Sequence, residues 1–181
     1  MTKWNIDSAH SEINFKVKHL VVSTVRGSFT NYEASIETAK DDFSDAIIKF
    51  EADIDSINTK NGQRDAHLKS ADFFDAANHP KMTFVSKSVK KISDYELKVT
   101  GDLSIRDITK EITLDVVYNG TVAGFGGAEV AGFEIHGKVN RFDFGLQWNA
   151  LTEAGGVVVS NEVKIEILAE FNKVQAEVKA A

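Results

Sequence analysis

With 181 residues, 43% of them hydrophobic, the chain is long enough for one domain with a substantial core. A formal net charge of -6, without a block of like charges, disfavours a nucleic-acid partner, which needs clustered Lys and Arg. The lack of cysteine rules out disulfides, thiolate metal sites and cysteine nucleophiles, and no apolar run approaches the ~20 residues of a membrane helix.

Alternation of apolar and polar residues runs through the chain in chain order. Ile13, Phe15, Val17 and His19 share one face of a first strand. The stretch from Gly27 to Glu37 changes phase between Phe29 and Tyr32, which predicts a bulge. Ile48, Phe50, Ala52 and Ile54 alternate with acids and lysine. Residues Lys81 to Lys91, with Met82, Phe84, Val85 and Val89, are less regular. Leu97, Val99, Leu103 and Ile105 follow, then Ile112, Leu114 and Val116. Phe133, Ile135 and Val139 come next, and Val163, Ile165, Ile167 and Phe171 last. Turn signals at Ser93-Asp94, Arg106-Asp107, Asn119-Gly120, Gly124 to Gly127 and Gly155-Gly156 separate the later strands. The expected fold is all-β: an eight-stranded antiparallel barrel, running up and down, as a single domain over 1–181.

One segment breaks the pattern. Asn61 to Asp75 is helix-prone and charged, with Thr59 or Asn61 suited to cap a first turn and Ser70 with Asp72 a second. His79-Pro80 then favours extended backbone before the next strand.

A barrel of this size either fills with side chains or holds one small ligand. In the first case Phe15, Phe29, Phe50, Phe84, Phe133, Phe142 and Phe144 pack into a solid core. In the second they line a long dry tube together with Ile13, Val17, Ile54, Leu97, Leu103, Leu114 and Trp148, and the ligand is an extended apolar chain. His19 is either a buried, hydrogen-bonded histidine or a contact for the ligand's polar end. His10, Arg64, Asp65 and His67 are candidates for a polar mouth that meets a head group. The competing reading makes Asp65 and His67 structural pins for the insert. Arg141 and Asp143 are expected to form an ion pair or turn anchor. His-x-x-x-His spacing and a G-x-S-x-G element are both missing, so neither a metal nor a catalytic cofactor is expected. An enzyme acting on lipids through His10, Asp65 and His67 is the alternative to a non-catalytic binding protein.

Several short elements recur in a familiar order: His10-Ser11, His19-Leu20, Gly27-Ser28-Phe29, Arg64-Asp65-Ala66-His67-Leu68, Phe73-Phe74-Asp75, Gly101-Asp102-Leu103 and Asn140-Arg141-Phe142-Asp143-Phe144-Gly145. Their combination, from Trp4 to Phe171, resembles the YceI-like family of lipocalin-like polyisoprenoid-binding proteins. The resemblance implies an extended eight-stranded barrel with a helical excursion. It also implies, as ligand, an amphiphile carrying a polyisoprenoid, isoprenoid quinone or fatty-acyl chain. Members are often dimeric and often exported to the periplasm. Here no apolar leader follows Met1-Thr2-Lys3-Trp4, so the expected location is cytoplasmic, or periplasmic if a leader has been removed. The Ala-, Lys- and Glu-rich tail at 172–181 is expected to be a frayed helical end.

Overall fold

Eleven strand segments and one helix build the structure, a computed structural model that describes residues 1–177. The segments are β1 (Thr2–Ile6), β2 (Glu12–His19), β3 (Ser23–Phe29), β4 (Tyr32–Thr38), β5 (Ile47–Asp53), β6 (Ile57–Asn58), β7 (Lys81–Lys91), β8 (Glu96–Ile105), β9 (Ile108–Ala123), β10 (Glu129–Asn140) and β11 (Val159–Lys173). The helix α1 spans Gly62–Lys69, between β6 and β7.

Every pairing is antiparallel, and the eleven segments occupy eight positions in one closed ring. Three positions hold bent strands. A 3-10 turn at Ser8–His10 separates β1 from β2; the Asp7 side chain caps it by accepting from the Ala9 N–H at 2.9 Å. Residues Thr30 and Asn31 separate β3 from β4, where the alternation changes phase. A 3-10 turn at Ile54–Ser56 separates β5 from β6. The long last strand closes the ring: β11 pairs with β10 on one side, and on the other with β2 and then with β1 through Phe171 to Lys173. Strand β1 has only five residues, too few to show a period in the sequence. Strand β11 runs into the expected helical tail as far as Lys173; the tail's last residues, 178–181, lie outside the described residues.

The wall parts at one place. Strand β5 pairs with β7 through Asp53 opposite Lys81, but the next segment, β6, pairs only with β3. The chain leaves through this split, forms α1, and returns at Lys81. Residues after Ser70 make tight turns rather than the second helical segment expected there; Ser70 closes one turn, its carbonyl accepting from Phe73 N–H at 3.0 Å.

The two ends of the barrel differ. At the lower end, where β4 meets β5, Phe43 turns inward with a left-handed backbone (φ 58°) and is 2% exposed. Its ring lies 5.4 Å from Trp4, 5.3 Å from Tyr118 and 5.1 Å from Phe133, and Phe171 extends the cluster at 5.8 Å from Phe133. Asp45 holds the loop by accepting from the N–H groups of Ala39 and Lys40 and from the Thr38 hydroxyl. Asp42 accepts from Ser44, which holds its carboxyl down at about 2. The upper end carries α1, the β2–β3 hairpin and the β10–β11 connection.

Candidate ligand cavity

Above the aromatic plug the inward side chains do not meet. They line a cavity of about 230 Å³. Phe15, Ile48, Phe50, Ile112, Ile135, Ile165 and Ile167 point inward on their strands and line the cavity, yet remain incompletely buried. In a filled barrel such residues would be sealed by their neighbours. The Phe15 ring lies against Gly27, where a Cβ would collide with it, and packs 5.7 Å from Phe29.

Of the residues expected to line a tube, Ile13, Phe15, Val17, Phe29, Phe50, Phe84, Leu103 and Leu114 do so. The others lie elsewhere. Phe133 belongs to the lower plug. Leu97 is buried at 5% exposure outside the cavity. Ile54 and Phe144 are each 1% exposed, fixed in 3-10 turns. Phe142 packs against Arg141, Trp148 packs against His67 and Phe73, and His19 sits at a strand end opposite Ser23 and Val159. Strand alternation alone could not separate lining from plugging, since both use inward positions.

The insert closes the upper end with apolar groups. Leu68, Phe73 and Phe74 line the cavity, and Phe74 stands edge-on to Phe29 at 6.1 Å. Its polar residues turn back onto the chain. Asn61 caps α1 by accepting from Arg64 N–H at 2.9 Å. Asp65 accepts from the Thr59 N–H at 2.9 Å and from its hydroxyl at 2.6 Å. Arg64 donates to the Thr59 hydroxyl at 2.8 Å and carbonyl at 2.7 Å. Thus Arg64 and Asp65 fasten both sides of one residue, and α1 cannot swing without breaking four hydrogen bonds. His67 lies nearer the rim, with Nε2 2.8 Å from Asp72 and its ring edge-on to Trp148 at 4.7 Å.

Arg141 takes the second of its two expected roles, that of a turn anchor. It is 4% exposed and makes no ion pair with the exposed Asp143. Its guanidinium donates instead to four carbonyls, of Leu146, Trp148, Val159 and Ser160, which staples both ends of the β10–β11 connection to one point. Burial pushes its pKa down from the usual arginine value. Of the lining residues only Arg141 and Asn14 are polar, and the Asn14 amide donates away to Glu12 at 3.0 Å. The surface offered to a ligand is therefore hydrocarbon.

His10 lies outside this cavity. Its Nδ1 is 3.1 Å from Asp7 and 3.7 Å from Glu170, and its side chain is 66% exposed. The hydrogen bond to Asp7 raises the His10 pKa and lowers that of Asp7. These three residues, with ligand atoms within 4.8 Å of one another, are the group best placed to hold a cation among the described residues. No hydrogen bond or ion pair joins His10, Asp65 and His67, the three groups of the enzyme alternative.

A closed antiparallel β-barrel with an apolar interior and a helical cap belongs to the lipocalin-like class of architectures. The family model of the YceI-like domain matches residues 4–171, and the chain belongs to that family. A UPF0312 protein of Staphylococcus aureus (strain MSSA476) is 45% identical over 175 residues, covering 95% of this chain and 98% of its own. The crystal structure of the Campylobacter jejuni YCEI protein is 35% identical, with a TM-score of 0.75 over 87% of this chain and 90% of its own. A polyisoprenoid binding domain from Saccharophagus degradans shares the fold: TM-score 0.68, 14% identity, covering 94% of this chain and 98% of that one.

Proposed function

We propose that this protein is a non-catalytic carrier that takes up a long-chain amphiphile, of polyisoprenoid, isoprenoid quinone or fatty-acyl type, inside its barrel. The observation that carries this reading is the cavity: a space within the barrel whose lining is hydrocarbon but for Asn14 and Arg141, both bonded elsewhere. Such a surface holds a ligand through water release, at about 25 cal/mol per Å² of apolar area before the costs of ordering the ligand. The fold shared with the Saccharophagus degradans polyisoprenoid binding domain supports the same chemistry. Against an enzyme stands the use of the polar groups. Arg64 and Asp65 are spent on Thr59, His67 on Asp72, and His10 on Asp7 outside the barrel.

Native mass spectrometry of the purified protein, followed by organic extraction, tests the proposal. A discrete adduct that extracts as a long-chain lipid is the expected result. Protein at its bare chain mass that also fails to take up an added long-chain probe would contradict it.

A further inference from the structure

The β2–β3 hairpin ends in Leu20, Val21 and Val22, and Leu20 and Val21 both have left-handed backbones (φ 51° and 66°). Tight hairpin turns with positive φ normally use Asn and Gly; a β-branched residue there is an outlier that costs free energy. Yet Val21 and Val22 bury almost nothing, at 75% and 85% exposure. The strain thus holds apolar side chains out into solvent. The patch continues into the neighbouring connection: Leu20 N–H donates to the Val158 carbonyl at 2.9 Å, and Leu151, bridged to Val157, is 72% exposed.

The flanks of this tip are basic. In a chain of net charge -6, no Asp or Glu occurs between Ile13 and Tyr32, while Lys16, Lys18, His19 and Arg26 do. Lys16 and Arg26 share Glu166. Lys18, nearest the tip, donates to the Thr24 hydroxyl at 3.2 Å and has no carboxylate partner among the described residues. The β10–β11 connection contributes two carboxylates, Asp143 and Glu153.

We infer that this hairpin, with Leu151 and Val157 beside it, docks the upper end of the barrel on an anionic lipid bilayer. Five apolar side chains on one tip fall well short of the roughly 20–30 residues a side of a stable protein interface. A bilayer needs no complementary shape: it accepts protruding apolar groups at the depth of the headgroup–acyl boundary, and its phosphates attract the flanking cations. The tip lies at the end that α1, Phe73 and Trp148 close, so a docked barrel would present its capped end to the lipid phase. Phe125, at 107% exposure on the Gly-flanked β9–β10 tip, lies at the opposite, plugged end and provides an internal control.

Flotation with phosphatidylcholine vesicles, with and without phosphatidylglycerol, reads this out. The wild-type chain is expected to float with the anionic vesicles, and less so as salt rises. A Val21→Asn, Val22→Ser double variant keeps a turn-compatible backbone and should float about tenfold less. Lys18→Glu should lose the preference for phosphatidylglycerol, and Phe125→Ser should behave as wild type. Wild-type protein that stays in solution would overturn the inference, as would a double variant that floats equally well or a Phe125→Ser chain that fails to float. Uptake of a detergent-dispersed long-chain probe, measured alongside, separates the two readings. Flotation without uptake supports docking and removes only the carrier proposal; uptake without flotation does the reverse.

Discussion

Phe43→Ala is expected to lower the free energy of unfolding by about 3–5 kcal/mol, the range for emptying a buried aromatic site. The ring touches Trp4, Tyr118 and Phe133 at once, from a loop that contributes no other aromatic group. The surrounding side chains stand on hydrogen-bonded strands and cannot collapse into the space it leaves. Urea denaturation measures the loss, and for a domain of this size each kcal/mol moves the thermal midpoint by about 2–4 °C. The left-handed backbone at Phe43 refines the test. Phe43→Gly should be the milder change, because glycine takes that conformation without strain. A variant within 1 kcal/mol of wild type (on the scale of ordinary surface substitutions) would show that the cluster does not close the lower end.

The second large effect separates a hollow barrel from a packed one. Ile135 and Ile167 face each other across β10 and β11, and both line the cavity while incompletely buried. Replacing either by Trp should weaken long-chain binding by roughly tenfold or more, because the indole takes up space and apolar area that the chain would use. The thermal midpoint should stay close to wild type or rise. In a packed core the same substitution forces strained rotamers and costs about 1–3 kcal/mol. A sharp fall in the midpoint together with undiminished probe binding would therefore contradict the cavity. Calorimetry and a fluorescence titration on the same variant give both readings.

Much of the barrel was legible from alternation, because strands with one wet face must repeat with period two. The eight positions, the phase change after Phe29 and the helical insert all follow from that pattern and from turn residues. The plug did not. Phe43 is a lone aromatic among Asp41, Asp42, Ser44 and Asp45, a composition that signals only a turn. An apolar residue stranded among turn formers was the available hint, but its direction depends on a left-handed backbone that no periodicity encodes. Arg141 was legible as a turn anchor, but its partners were not: the chain leaves the strand at Asn140 and enters a 3-10 turn that buries the guanidinium among carbonyls, away from Asp143. Within the insert, Arg64, Asp65 and His67 stand out in the sequence by their chemistry. Their geometry serves the fold, and the cavity contacts come from Leu68, Phe73 and Phe74.

The proposed function requires a hydrocarbon chain to occupy the barrel. Isothermal titration across a series of saturated amphiphiles with one head group and increasing chain length tests it most directly. A buried methylene contributes ~0.8 kcal/mol, so affinity should rise by up to roughly tenfold for each two carbons added. The rise should then stop, at the length where the chain reaches the Phe43 plug. Affinity that is flat with chain length, or that tracks the head group alone, would contradict a chain held inside the barrel.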